Sequence, residues 1–332
     1  MSELPEGLHE FVAQAGWGSA TVEPIPGDAS FRRYFRLRQS DASKPPTAML
    51  MYAPPPEEDP HPFLDVAHWL TEHGLRAPAI LAEKAAQGWV LTEDFGNDRM
   101  REWVDANPAS ELSAYKAAIE ALIDLHQQPA GPFAAYDLAN YQREAALFTE
   151  WYTPAQNLVI DKVGYQAAWE TVLTPLIGRQ AKPVTVLRDY HAENIMLLGD
   201  TEGQAQQGLI DFQDALIGHP AYDLVSLLQD ARRDVPLELE ALMLDFYMDR
   251  ANVAEHFLAD YARLGAQRNA KIVGVFARLY RRDGKPRYLD MIPRVWAAME
   301  RDLAHPALEP VAHWFDANIP AELRAAGGGT IA

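Results

Sequence analysis

The sequence predicts an α+β fold of two lobes, a small β-rich one over residues 1–94 and a larger, mainly helical one over residues 95–332. Three observations carry this. Before residue 95 the apolar residues gather in short runs of strand formers, cut by turns rich in Pro, Gly and acids. From Asp98 onward they recur at the three-and-four spacing of amphipathic helices. Between 184 and 214 the pattern changes again, to short apolar runs around a tight polar block.

Taken in order, residues 8–16 read as a short helix with Leu8, Phe11, Val12 and Ala15 on one face. Phe31, Tyr34, Phe35 and Leu37 favour strand, which makes 27–30 a turn between two strands. Gly27, Asp28, Ala29 and Ser30 have two readings. One is a plain hairpin turn; the other is a loop whose backbone N–H groups approach phosphate oxygens, with Ser30 adding a hydroxyl and Arg33 a charge. Residues 47–53 form the next strand, followed by a Pro-rich acidic break over 54–62. Phe63, Val66, Ala67 and Leu70 make a helical stripe that stops at Gly74. The segments 78–84 and 88–94 form a strand pair, and the Gly-Asn-Asp break after them closes the first lobe at about residue 95.

In the second lobe, residues 112–127 carry Leu112, Tyr115, Ala118, Ile119, Leu122 and Leu125 on one helical face, and a Gln-Gln-Pro-Ala-Gly-Pro run ends it. A helix over 136–152 follows, with Leu138, Tyr141, Ala145, Phe148 and Tyr152 in register and Glu144 and Trp151 beside them. Aromatics at this spacing form a core or, in a functional reading, Trp151 and Tyr152 offer a face to a sugar ring. Residues 184–187 and 195–198 read as buried strands enclosing Arg188, Asp189, His191, Glu193 and Asn194, and a third strand over 208–212 carries Asp211. Asp214 and a His-Pro turn lead into an amphipathic helix with Asp223 near its start, where a carboxylate satisfies free N–H groups. Two helices fill 237–264, and 272–279 leads into a basic run. Arg278, Arg281, Arg282, Lys285 and Arg287 then make the most basic stretch of the chain, either a solvated cluster or part of a site for a planar anion.

Composition narrows the function. The formal net charge of −18 disfavours nucleic acid and anionic membrane surfaces as partners. Zero cysteines exclude disulfides and thiol chemistry. The first residues have neither the basic start nor the apolar core of a signal peptide, and no run approaches the ~20 apolar residues of a membrane span, so a cytoplasmic protein is expected. Oligomeric state is not legible.

An acid and an amide on one loop, with a second acid on the following hairpin, suit phosphoryl transfer from a metal–nucleotide complex. Asp189 would accept the proton of the attacking hydroxyl, while Asn194 and Asp211 would hold Mg2+ against the phosphates of ATP. His191 and Glu193 as zinc ligands are a competing reading, which finds no cysteine and no clear third ligand nearby.

Arg-Asp-x-x-x-x-Asn followed by Ile-Asp-Phe resembles the catalytic loop and metal-binding acid of protein kinases and their small-molecule relatives. With His191 two places after Asp189 and Phe-Gln-Asp after Ile210, the spelling is similar to the aminoglycoside phosphotransferase and choline kinase group, and within it to bacterial anomeric kinases of amino sugars. The stretches 27–36, 88–96, 187–198, 209–215, 222–230 and 276–296 carry the resemblance over nearly the whole chain. It implies a bilobal protein-kinase-like fold, with the 27–30 turn covering the nucleotide's phosphates and a hinge near Glu93 and Phe95 meeting adenine. It also implies an amino sugar acceptor, with Glu144, Trp151, Tyr152, His191, Asp214, Arg278 and Arg282 as candidates to line its site. For Asp223 it implies a second task, bracing the catalytic loop. The sequence departs from the pattern in one respect: the strand at 49–52 has no lysine, and Arg33 or Arg36 would have to replace it. Kinases of aminoglycosides, choline or homoserine, and a non-catalytic nucleotide-binding relative, share the same motifs.

Overall fold

The computed structural model describes residues 4–26, 31–40, 45–179, 182–199 and 207–331. The α+β class is as expected. The chain divides into two compact units, Met1–Trp103 with Asn194–Asp214, and Val104–Glu193 with Ala215–Ala332.

The first unit is built on an antiparallel sheet of β1 (Thr21–Ile25), β2 (Arg33–Arg38), β3 (Thr47–Tyr52), β4 (Ile80–Lys84) and β5 (Trp89–Glu93), in the order β1-β2-β3-β5-β4. Side chains alternate across a strand. In β2 this buries Phe35 and Leu37 on one face and sends Tyr34 and Arg36 to the other. Register then places Phe35 opposite Leu50, and Leu50 opposite Leu91. That row packs with Leu8, Phe11, Val12 and Trp17 of the N-terminal helix region into one core, each buried side chain contributing about 1.5–3 kcal/mol. Gly88 closes the β4–β5 turn at φ +80°, where a Cβ would come within 2.0 Å of the Ala53 carbonyl oxygen; only glycine fits there.

Two short strands, Ile195–Leu197 and Gln207–Leu209, pair antiparallel within the same unit. The Leu197 N–H donates to the Asp98 carbonyl at 2.7 Å and the Leu209 N–H to that of Arg76 at 2.8 Å. Phe212 stacks on Phe63 with ring centroids 5.2 Å apart, which fixes the chain just after Asp211.

The second unit is mainly helical. Helix Glu111–Gln127 buries the predicted apolar face from Tyr115 to Leu125, whereas Leu112, expected on that face, is exposed in its first turn. Strands Val184–Val186 and Leu216–Gly218 pair antiparallel and hold the loop that begins at Leu187. The predicted helix over 136–152 is helix Leu138–Leu147, capped by the Asp137 carboxylate on the Asn140 N–H, followed by a π-helical turn at Phe148–Tyr152. Here the structure corrects one expectation: no break separates 264 from 272. A single helix, Phe257–Arg281, runs through both. Gly265 of this helix is a packing position, because a Cβ there would lie 2.3 Å from Asp302 Oδ2. Gly274 of the same helix similarly lets the Leu147 backbone approach. Among the described residues no helix is long and apolar enough to cross a membrane.

Candidate active site

The loop carrying Asp189 is held from beneath by carboxylates acting on its backbone. Asp223 is fully buried in helix Ala221–Leu228, and it accepts hydrogen bonds from the N–H groups of Leu187 (2.6 Å) and Arg188 (2.8 Å). Of its two expected tasks, the geometry gives it the bracing one. Burial pushes the Asp223 carboxyl up to about 7, against the pull of those two N–H groups and of Arg268. Asp230 repeats the arrangement further along, accepting from the Ala192 N–H at 3.3 Å and the Arg232 N–H at 2.8 Å. Tyr190 is buried and donates its hydroxyl to the Ala118 carbonyl at 2.7 Å. Between these anchors Arg188 adopts a left-handed backbone, φ +71°. Non-glycine residues rarely take that conformation, and its cost persists only where the surroundings impose it. Asp189 is half-buried at the turn that follows.

His191 and Glu193 meet one arginine. Arg232 Nη1 lies 3.0 Å from His191 Nε2, and its Nε lies 3.2 Å from Glu193 Oε2. A cation between them serves the loop's shape and opposes a second cation at the same place. His191 is buried.

In the other unit, Asp211 also has a left-handed backbone, φ +60°. Asn194 Nδ2 donates to its Oδ2 at 3.3 Å and Gln213 Nε2 to its Oδ1 at 2.9 Å. The Asn194–Asp211 pair thus offers an amide oxygen and a carboxylate, the hard oxygen donors that suit magnesium. Asp211 also lies near the sheet: burial raises the Tyr34 hydroxyl above the ordinary phenol range, Arg32 opposes this and Asp211 adds to it. Asp214 is exposed in the turn beyond.

The predicted nucleotide residues fare unevenly. Gly27, Asp28, Ala29 and Ser30 lie outside the described residues. Arg33 falls on the Phe35 face of β2, its guanidinium 5.3 Å from that ring, and so on the face opposite Tyr34, near which Asp211 lies. Arg36 is on the Tyr34 face but is bound to the segment after β5. Its Nε pairs with Asp94 Oδ2 at 2.7 Å, and its Nη atoms donate to Asn97 Oδ1 at 2.7 Å and the Gly96 carbonyl at 2.9 Å. Neither arginine is placed as a simple stand-in for the missing lysine. The Glu93 carboxylate pairs with Arg76, and Arg76 also covers the Phe95 ring at 4.7 Å.

Of the predicted acceptor residues, Tyr152 does not offer a platform. It is fully buried against Phe148 and Trp296, with its hydroxyl donating to the Gly328 carbonyl at 2.6 Å. Trp151, its neighbour on the π-helical turn, remains partly exposed. Arg282 is exposed and pairs with the adjacent Asp283 at 2.7 Å. Arg278 is half-buried, and its Nε is buried with no hydrogen-bond partner among the described residues. Glu144 is buried beside Arg188, Lys271 and Tyr136. Burial alone would raise its carboxyl, but Lys271 and Arg188 hold it below the usual range. Asp230, Arg232 and Lys271 were given no role from the sequence. For Asp230 a signal existed in its place at the end of the apolar helix from Tyr222.

Comparison with known proteins gives the family and the fold. The family model described as "Phosphotransferase enzyme family" matches residues 21–265. The chain is 37% identical to a curated N-acetylmuramate/N-acetylglucosamine kinase of Caulobacter vibrioides, over 97% of this chain and 99% of that protein. A protein of the same name from Pseudomonas aeruginosa is also 37% identical, over 91% and 90%. Among solved structures, the choline kinase LicA from Streptococcus pneumoniae superposes with a TM-score of 0.63 at 12% identity, covering 89% of this chain and 99% of that one. The match shows a common protein-kinase-like fold. The chain belongs to the phosphotransferase enzyme family.

Proposed function

We propose that the chain is an ATP-dependent kinase of N-acetylmuramate and N-acetylglucosamine, acting on the anomeric hydroxyl. The observation that carries this reading is that four curated kinases of these sugars match at 34–37% identity, on a chain that keeps Asp189, Asn194 and Asp211 in order. Asp189 accepts the hydroxyl proton as the sugar oxygen forms its bond to the γ-phosphorus and the bond to ADP breaks. Asn194 and Asp211 hold magnesium, which supplies neutralising charge to the phosphoryl oxygens. Little covalent chemistry falls to the protein, so the rate rests on alignment, and the anchored loop supports it by fixing the backbone on either side of Asp189. Arg278 is assigned to the lactyl carboxylate that N-acetylmuramate has and N-acetylglucosamine lacks; Trp151 is assigned to the sugar face.

The test is ATP consumption by the purified protein with N-acetylmuramate, N-acetylglucosamine, an aminoglycoside and choline, with phosphorus NMR of the product. The expected result is turnover with the two sugars and a phosphorus signal split by the anomeric proton. Turnover with choline or the aminoglycoside alone, or a product phosphorylated at another hydroxyl, contradicts it.

A further inference from the structure

Helix Ala221–Leu228 has eight residues and carries Asp223 in its first turn. A helix so short depends on how its first N–H groups are satisfied. Pro220, which precedes it, makes no side-chain cap. His219 serves instead, at two points. Its carbonyl accepts the Tyr222 N–H at 3.1 Å, and its ring Nδ1 lies 3.2 Å from the Ala221 nitrogen. A backbone N–H can only donate, so Nδ1 is the accepting nitrogen and the ring proton belongs on Nε2. Nε2 lies 3.4 Å from Asp260 Oδ2. Asp260 is fully buried in the first turn of helix Phe257–Arg281, and is itself fixed by Arg179 and by Arg263 Nη1 at 2.8 Å. The buried His219 ring also stacks on Phe257, with centroids 6.0 Å apart. One imidazole thus joins the starts of two helices.

The local contact belongs to the sequence His-Pro-Ala, which recurs: His305 Nδ1 accepts the Ala307 N–H at 3.1 Å across Pro306. A carboxylate makes the same contact at Asp59-Pro60-His61, where Asp59 Oδ1 accepts the His61 N–H at 2.9 Å. Such an acceptor two residues before an N–H is the geometry of an Asx turn. At His219 the ring's other nitrogen meets Asp260, and the helix that follows is the one whose Asp223 receives the N–H groups of Leu187 and Arg188. With the proton on Nδ1 instead, two N–H groups would face each other across 3.2 Å, and the turn holding Asp223 would lose its anchor. We propose that His219 is a positioning residue: held by Asp260 in the tautomer with its proton on Nε2, it accepts the Ala221 N–H and so fixes the turn from which Asp223 grips the loop before Asp189. This rests on Asp189 serving the phosphoryl transfer proposed above.

The experiment separates the two ring nitrogens. Asparagine keeps an acceptor at the Nδ1 position. Glutamine, one methylene longer, carries its amide toward Asp260 and leaves the Ala221 N–H without an acceptor. His219→Asn is expected to keep kcat within about threefold of wild type. His219→Gln should lower kcat about tenfold with KM for ATP and for sugar within about twofold, a loss confined to steps after binding. Both are assayed well below their melting temperatures, so that a fall in kcat is not a loss of folded protein. Equal kcat in the two variants, or a loss in His219→Asn that His219→Gln escapes, overturns the proposal. So does a raised KM with kcat retained, or a His219→Asn protein that does not fold. The tautomer is read on the unaltered protein by long-range proton–nitrogen NMR with its 10 histidines labelled, His219 being the signal missing from His219→Asn. A bare Nδ1 is expected at neutral pH. A proton found on Nδ1 overturns the proposal, and this measurement stands even if His219→Gln does not fold. Wild-type turnover tests the proposed function, while the variant ratios and the ring proton test this inference, so the two can fail separately.

Discussion

Two acids, Asp223 and Asp211, follow each other within 13 residues and are held in opposite ways. Asp223 is fully buried and spends both oxygens on the backbone of Leu187 and Arg188. Asp211 is exposed, and its oxygens meet the side-chain amides of Asn194 and Gln213. The first acid can only shape the chain; the second can take a ligand. The difference teaches that a carboxylate's task is read from its donors. Backbone N–H groups in the interior fix a loop, whereas amides at the surface orient an oxygen that still faces solvent.

That contrast can be broken by substitution. Asp211→Ala removes a proposed metal ligand, and turnover should fall by about 10³-fold or more with the melting temperature within a few degrees of wild type, because an exposed side chain adds little to stability. Asp223→Ala should do the reverse. Two buried N–H groups lose their acceptor, so stability should drop by about 2–4 kcal/mol, read by denaturant titration, and activity should fall with it. If Asp211→Ala unfolds the protein and Asp223→Ala does not, the contrast is wrong.

Asp260 sharpens the point with pH. Burial alone would raise its carboxyl, but hydrogen bonds from His219 and Arg179 bring it down to about 2. Arg263 and His256 face the same group. The folded value lies below the unfolded value of about 3.9, so the stability it lends is present above that pH and lost as pH falls toward 2. The melting-temperature gap between wild type and Asp260→Asn should be full at pH 6 and narrow between pH 4 and pH 2. A gap that widens on acidification contradicts the assignment.

Two smaller effects address the acceptor side. Arg278→Ala should raise KM for N-acetylmuramate about tenfold while leaving N-acetylglucosamine near wild type, as expected for a charge-assisted contact to one carboxylate. Equal changes for both sugars would remove Arg278 from that role. Tyr152→Phe should cost about 1 kcal/mol of stability, the worth of one buried hydrogen bond, with sugar KM unchanged. A raised KM would return Tyr152 to the acceptor site.

Much of this was legible in the chain. The strand formers around Phe35, Leu50 and Leu91 announced a sheet, and their register put them on one buried row. Asp189, Asn194 and Asp211 stood out because polar residues packed tightly between apolar runs have few structural explanations. What stayed hidden depended on partners distant in sequence. The helix expected to end at 264 runs on to Arg281, and the close packing it makes at Gly265 is against Asp302, 37 residues later. Tyr152 reads as core or as a face for a sugar ring until Trp296 and Gly328 are seen against it, which makes it core. Glu144 looked like a ligand for the acceptor, since nothing local ties it to Arg188 or to Lys271. The left-handed backbone at Arg188 carries no composition signal, because arginine does not favour it; Asp211 belongs to one of the few residue types that do.

The most direct measurement of the central claim is kcat for Asp189→Asn, with the product followed by phosphorus NMR and the fold by thermal melting. The substitution keeps the shape of the side chain and removes its ability to accept a proton. Sugar phosphate formation should fall by about 10³-fold or more while the melting temperature and ATP binding stay at wild-type values. Turnover within about tenfold of wild type by a folded Asp189→Asn protein would contradict the account.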